Sequence, residues 1–284
     1  MSPARAASGG GRVALVTGGS RGVGEGIAVG LGEAGWTVVV SARDEARLAR
    51  TARRVEEAGG RARAIVCDHG DDAQVEALIQ RVGEEHGGLD LLVNNAWAGP
   101  AMDYSRPEPF WERPLSDWDL LVGIGLRAHY VATRAAAPGM VERGSGMIVN
   151  ISSVGTRAYL HSTLYGISKA GLDKMTHDTA LELRPHGVTV LSLWPGLIRT
   201  ERLLASGRET VFGVSIKDTE TPELQGRVIA ALAADPSVHE RTGQVVISAE
   251  AAREYGIPEP EGGVPVSPRD MFGGGPVFPA LPTA

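Results

Sequence analysis

The sequence predicts an α/β domain: a doubly wound parallel sheet of about seven strands with helices on both faces. Three observations predict it. Short β-branched runs recur along the chain, each nearly continuous in apolar residues, as strands covered on both faces require. Longer Ala/Leu/Glu/Arg segments separate them at a spacing that suits right-handed βα crossovers. The first run ends in a glycine-rich turn that opens a helix.

The expected strands, in order, are 13–17 (VALVT), 37–42 (TVVVSA), 63–67 (RAIVC), 89–93 (LDLLV), 146–152 (GMIVNIS), 187–193 (GVTVLSL) and 243–248 (GQVVIS). Helices are expected near 22–34, 44–58, 71–86, 115–141 and 164–184. Residues 201–222 separate the sixth and seventh strands and read as an irregular or helical insertion. Residues 1–11 are small and Gly-rich, with expected disorder. One domain is expected over 12–255. Residues 256–284 carry seven prolines and six glycines, a tail either disordered or draped over a neighbour.

Bulk properties exclude several classes. A net charge of −6 with no lysine- or arginine-rich block argues against a nucleic-acid surface, which needs concentrated positive charge. Cys67 is the single cysteine, so an intrachain disulfide and a Cys-based zinc site are excluded, and no metal is expected. No run approaches the ~20 apolar residues of a membrane span, and the N-terminus has no apolar leader, so a cytoplasmic location is expected.

In VALVTGGSRGVGEGIAVGL, Gly18, Gly22 and Gly24 lie where strand becomes helix. Residues without Cβ let backbone approach a pyrophosphate at a helix N-terminus. A plain strand-to-helix reversal is the simpler use of such glycines; their place after the first strand favours a dinucleotide. A Walker-type loop is excluded because no Gly-Lys-Ser/Thr follows.

Further along, Tyr165 and Lys169 are four apart and share one face of a helix. A neighbouring ammonium favours phenolate and lowers the tyrosine from its reference near about 10. Such a phenol can give a proton to a carbonyl oxygen or take one from an alcohol. A surface pair at helical spacing is the alternative. Ser152 and Ser153 end the fifth strand, at the carboxyl edge where ligands bind in such sheets. A hydroxyl there could hold a substrate oxygen, and alternation along a strand lets only one of the two do so.

TGGSRGVG (17–24), NNA (94–96), ISS (151–153), YGISK (165–169) and PG (195–196), in this order and spacing, resemble the short-chain dehydrogenase/reductase family over roughly residues 12–250. NNAWAG, YGISK, ELRPHGV and SLWPG further resemble its subgroup called family member 1. The resemblance implies a Rossmann fold and an oxidoreductase that interconverts a small-molecule carbonyl and alcohol. It implies Tyr165 as proton donor, Lys169 tuning it and binding the nicotinamide ribose, and a catalytic serine. Counting back from the tyrosine points to Ser152, and the strand motif points to Ser153, which is preferred. It also implies cofactor contacts from Gly18, Ser20, Arg21, Gly22, Val23 and Gly24 in the turn. Asp68 would meet the adenine, Asn94 the cofactor-side backbone, with Ala96 beside it. Pro195 and Gly196 would flank the nicotinamide, and Ile198 and Thr200 would meet its carboxamide. A homodimer or homotetramer on the fourth and fifth helices is implied, with 201–222 as a substrate lid.

The chain departs from that family at three places. Gly125 stands where a helix asparagine usually holds a relay water, Trp97 where a glycine follows NNA, and TGQVVISAEAAREYG replaces a glycine-rich ending. A non-catalytic nucleotide-binding regulatory or scaffold protein is therefore the rival reading. For the cofactor, Arg43 follows the second strand and Arg21 lies in the turn; two guanidinium groups suit the 2′-phosphate of NADP(H) over NAD(H). Asp44 either caps the next helix or, with the alignment shifted, meets a ribose. Trp97, Tyr104, Phe110, Trp111 and Trp118 gather five of the chain's fourteen aromatics after the fourth strand. They form a wall for an apolar or aromatic substrate, with Trp97 and Tyr104 foremost, or else a packed loop or subunit contact. His129, His161, His177 and His186 lack metal-ligand spacing and read as ordinary helix or surface histidines.

Overall fold

The computed structural model describes residues 11–99, 108–260 and 263–273. Seven parallel strands form one sheet in the order β3-β2-β1-β4-β5-β6-β9. They are β1 (Val13–Thr17), β2 (Thr37–Ala42), β3 (Arg61–Val66), β4 (Leu91–Asn94), β5 (Gly146–Ile151), β6 (Val188–Trp194) and β9 (Val245–Ile247); β7 (Thr210–Val211) and β8 (Val214–Ser215) make a separate hairpin. The order reverses between β1 and β4, and a crevice opens at the carboxyl ends of strands on either side of such a reversal.

Alternation along each strand sends side chains to two cores. Ala14 and Val16 pack with Ile27, Leu31, Val55 and Val228 on one face, while Val13 and Leu15 pack with Val75, Leu78, Val131 and Leu183 on the other. The first face is covered by α1 (Gly22–Glu33), α2 (Glu45–Glu57) and α7 (Pro222–Ala234). The second is covered by α3 (Asp72–His86), α4 (Ala128–Arg143) and α5 (Thr163–Leu183). Local chemistry starts these helices where they start. Asp44 caps α2 by accepting from Arg47 N–H, Asp71 caps α3, and Thr221 caps α7 with Pro222 in its first turn.

Helices α1 and α7 meet backbone to backbone. A Cβ on Gly26 would lie 2.3 Å from the carbonyl carbon of Pro222, so only glycine allows this approach. Arg54 of α2 ties both helices down, at 2.8 Å from Glu25 and 2.8 Å from Glu223. Helix α7 has no counterpart among the expected elements, although Thr221-Pro222-Glu223 is an N-terminal helix signal.

Before α4, residues Asp119–Arg127 form a π-helix, a wide turn often found at functional sites. After β6 come α6 (Glu201–Ala205), the β7–β8 hairpin and a 3-10 turn, all within the 201–222 insertion. The ends of this insertion are stitched together: Ile198 and Glu220 form a β-bridge, with Glu220 N–H on the Leu197 carbonyl at 2.7 Å and Arg199 N–H on the Glu220 carbonyl at 2.9 Å.

Following α8 (Ser248–Glu254), the described tail folds back over this chain's own insertion, ending in α9 (Pro268–Phe272). Glu259 accepts from Thr221 N–H at 2.6 Å and from Arg199, and Phe272 meets Phe212 edge to face at 6.3 Å. No helix among the described residues is long and apolar enough to cross a membrane.

Candidate active site

A cavity of about 700 Å³ runs along the carboxyl ends of the strands, from the end of β2 to the start of α6. The glycine turn forms its floor. Gly18 has φ +67 and its Cα faces Ala96, where a Cβ would come within 2.8 Å of the Ala96 Cα. A Cβ on Gly24 would lie 2.3 Å from the Gly18 carbonyl oxygen. The segment after β4 braces this turn: Thr17 Oγ1 accepts from the N–H groups of Asn95 and Ala96 at 2.9 and 3.0 Å, and Asn95 Nδ2 donates to the Thr17 carbonyl at 2.9 Å. Gly22, Val23 and Gly24, which open α1 with no side-chain cap, line the cavity, a setting that suits a pyrophosphate.

Tyr165 stands in the first turn of α5 because Ser162, in extended backbone, caps the helix by accepting from Tyr165 N–H at 3.2 Å. Lys169 follows one turn later, 6% exposed, with Nζ donating to the Ile151 carbonyl at 2.9 Å and 5.8 Å from the Tyr165 ring centre. Burial pulls its ammonium down to about 8, partly offset by the field of Asp173. Both side chains line the same cavity as the glycine turn.

The two serines differ in direction. Ser152 Oγ turns inward and donates to the Lys169 carbonyl at 3.3 Å. Ser153 Oγ accepts from Gly155 N–H at 3.0 Å. A Cβ on Gly155 would lie 2.5 Å from Cε1 of Tyr165 and 3.4 Å from Ser153 Oγ, so phenol ring and Ser153 hydroxyl flank one backbone point.

Gly18, Ser20, Arg21, Gly22, Val23, Gly24, Arg43, Asp68, Ala96, Trp97, Pro195, Gly196, Ile198 and Thr200 also line the cavity, together with Ser152 and Ser153. Asn94 does not. It is fully buried, and its amide donates to Thr133 Oγ1 at 3.0 Å and Asn150 Oδ1 at 2.9 Å, so its neighbour Asn95 stands at the wall instead. Tyr104 lies outside the described residues, as do residues 1–10, 261–262 and 274–284.

The wall also holds residues that sequence reasoning passed over. Arg47, one turn into α2, joins Arg21 and Arg43, while Asp44 is engaged as helix cap and lies 3.2 Å from Arg47 Nε. His161 has a left-handed backbone (φ 62) and meets the Tyr165 ring edge to face at 4.6 Å, and Trp97 meets the same ring at 6.4 Å. No spacing rule finds it; a non-glycine residue held in that conformation is visible only in the fold.

His129 is buried against the Ala96 carbonyl at 2.8 Å and is pushed down to about 3 by burial, hence neutral. Cys67 also faces the cavity, with its thiol pushed up to about 11 by burial and neighbouring carboxylates, hence unreactive. At Gly125, a Cβ would come within 2.9 Å of Ser168 Oγ and 3.3 Å of Trp97 Cδ1, so a side chain there would require both neighbours to shift.

The segment 195–200 is organised by Glu220, 1% exposed, which accepts from Gly196 N–H at 3.0 Å, Gln225 Nε2 at 2.6 Å and Ser248 Oγ at 2.7 Å. Burial pushes its carboxyl up to about 7 from 4.5. An acid raised in the folded state stabilises most below its unfolded value and loses that contribution as pH rises through its folded value. Between pH 4.5 and just above 7 the protein should therefore lose ~3 kcal/mol that Glu220→Gln does not lose. Denaturant unfolding of both proteins across that range checks this; parallel profiles would refute it.

With this geometry in place, comparisons with known proteins are specific. The family described as short chain dehydrogenase matches residues 12–209. Dehydrogenase/reductase SDR family member 1 of Homo sapiens is 41% identical over 263 residues, covering 89% of this chain and 84% of that protein. The 3-oxoacyl-[acyl-carrier-protein] reductase FabG of Thermotoga maritima is 30% identical over 83% of this chain and 95% of its own. Among solved structures, a metagenomic short-chain oxidoreductase in complex with NADP superposes with TM-score 0.66 at 34% identity, covering 80% of this chain and 91% of its own. A variant of actinorhodin polyketide ketoreductase with NADPH superposes with TM-score 0.71 at 31% identity, covering 84% and 95%.

Proposed function

Since the chain belongs to the short-chain dehydrogenase family and is an oxidoreductase of that kind, we propose that it interconverts a carbonyl and an alcohol on a small molecule using NADP(H). The observation that carries this reading is the sharing of one cavity by Tyr165, Lys169 and the Gly18–Gly24 turn. When bound, the dinucleotide supplies or accepts the hydride. In the reducing direction Tyr165 gives its proton to the carbonyl oxygen, and in the oxidising direction it takes one from the alcohol. Lys169 biases the phenol toward ionisation and meets the nicotinamide ribose. Ser153 donates to the substrate oxygen and stabilises the charge that develops there. Ser152, bonded inward, is left a packing role.

The dinucleotide suits this site because backbone, not side chains, forms the turn facing the α1 N-terminus. The preference for NADP(H) over NAD(H) rests on Arg21 and Arg43 with Arg47 beside them, since guanidinium groups bind a phosphate bidentately and Asp44 is already engaged. Asp68 would meet the adenine, and Ile198 and Thr200 the carboxamide, since all three line the cavity. Trp97 supports an apolar or aromatic substrate, being edge-on to the phenol and 37% exposed. Exposed Tyr130 on α4 and Ile167 and Leu181 on α5 support a homodimer or homotetramer through these helices. A buried free Cys67 suits a reducing, cytoplasmic setting.

The test is NADPH and NADH oxidation over a panel of ketones, aldehydes and quinones. At least one carbonyl should be reduced, with higher kcat/KM for NADPH, and Arg43→Ala should narrow that ratio about tenfold through loss of one charged contact. Binding of NADPH without reduction of any compound would overturn the catalytic reading.

A further inference from the structure

We propose that Asp173 is a positioning residue of the reaction: a buried carboxylate one turn beyond Lys169 that holds the lysine charged and anchors the turn carrying Ser153. The inference rests on the roles assigned above to Tyr165 and Lys169. Tyr165, Lys169 and Asp173 follow one another at four-residue intervals, so phenol, ammonium and carboxylate share one face of α5. Asp173 is 1% exposed and does not line the cavity, so it acts through its neighbours rather than on substrate.

An isolated carboxylate in such a place would be costly, and this one is heavily solvated by the protein. Thr156 Oγ1 donates to it at 2.6 Å, Trp194 Nε1 at 3.0 Å, and Ser192 Oγ also donates. These donors come from the turn after Ser153 and from strand β6. One carboxylate thus ties the turn after Ser153 to strand β6, with three donors shared between its two oxygens.

Its charge has a second effect. Lys169 makes no ion pair among the described residues, and one of its three N–H groups is bonded to the Ile151 carbonyl. The groups that face it are Tyr165 on its own helix, His129 from α4, His161 from the preceding loop, and Asp173. Burial lowers both histidines and keeps them neutral near neutral pH, so Asp173 is the anion of that set. Burial also draws Asp173 upward while its hydrogen bonds draw it back.

The sign of the effect follows. Carbonyl reduction needs Lys169 charged and Tyr165 protonated. Neutralising Asp173 removes the attraction that holds the ammonium, so Lys169 loses its proton at lower pH. That change moves the alkaline limb of carbonyl reduction toward acid.

The experiment compares wild type, Asp173→Asn and Thr156→Val as full chains, following kcat for reduction of a panel carbonyl against pH. Asp173→Asn should lower kcat and shift the alkaline limb by about one pH unit toward acid. Thr156→Val, which keeps the charge and removes an anchor, should lower kcat and leave the limb in place. Asp173→Ser is the second neutral variant, with the same expected shift, if the Asn protein does not fold. In parallel, the pH dependence of Lys169 acylation by acetic anhydride, read by mass spectrometry without substrate, should move toward acid in the Asp173 variants only. An unmoved limb and unmoved acylation profile, or equal shifts in Thr156→Val, overturn the proposal. Acylation shifting while no panel carbonyl is reduced leaves the Asp173 coupling standing and refutes the assigned reaction instead.

Discussion

Tyr165→Phe is expected to lower kcat for carbonyl reduction by roughly 10³-fold, within the range that a positioned proton donor contributes. The substitution removes one oxygen and keeps the ring. The edge-to-face contacts of that ring with His161 at 4.6 Å and Trp97 at 6.4 Å persist, as does the Ser162 cap on the residue-165 N–H. Lys169 keeps its bond to the Ile151 carbonyl. The substitution leaves the backbone of the glycine turn and its brace from Asn95 and Ala96 in place, so NADPH affinity should change by no more than about threefold, worth well under 1 kcal/mol. The effect is thus confined to kcat, the signature of an interaction made in the transition state. Steady-state kinetics and a fluorescence titration of NADPH check both halves. Turnover within tenfold of wild type would remove Tyr165 from the chemistry.

Gly24→Ala is expected to damage both stability and cofactor binding. Its methyl would sit 2.3 Å from the Gly18 carbonyl oxygen and 2.5 Å from Asn95 Nδ2. Neither can yield cheaply: Gly18 is wedged against Ala96, and Asn95 is bonded to the Thr17 carbonyl. The turn must open, at a cost of about 1–3 kcal/mol typical of overpacking. Opening it also misaligns the first N–H groups of α1, so the Kd for NADPH should rise at least tenfold, a loss of about 1.4 kcal/mol. Gly83→Ala in α3 is the control. No atom lies within 4 Å of its added methyl, and a helix-interior Gly→Ala change should stabilise by about 0.5–1 kcal/mol. Urea unfolding and cofactor titration of the two variants separate backbone crowding from a general intolerance of substitution.

Much of this architecture is legible in the sequence where one physical cause acts alone. Strands such as 13–17 and 37–42 are apolar throughout because both faces of the sheet are covered, and their bounds coincide with β1 and β2. Helix α5 is legible from its tyrosine and lysine at helical spacing. Other features arise from contacts between distant segments and leave no local trace. The π-helix at 119–127 brings Gly125 against Ser168 and Trp97, a packing relation rather than a period. Which of Asn94 and Asn95 reaches the cavity depends on where β4 ends and alternation stops, and sequence boundaries are least certain at that point. Ser152 and Ser153 present the same difficulty at the end of β5. Arg47 is missed because only the path of α2 brings its side chain back to the crevice. Asp173 continues the four-residue spacing of Tyr165 and Lys169, but what it holds does not show in the sequence, since its three donors come from segments well removed along the chain.

The stitched ends of the 201–222 insertion have a consequence for how the molecule changes over time. Leu197, Ile198 and Arg199 are fastened to Glu220, and the residues just beyond are welded to α1 where Pro222 meets Gly26. Between those anchors the chain departs and returns at one spot, like a pocket sewn onto a coat. Its contents can lengthen, shorten or be exchanged at small entropic cost, because closing a longer loop adds only about 0.6 kcal/mol per doubling. Selection can therefore redraw the rim of the crevice without disturbing the glycine turn beneath it.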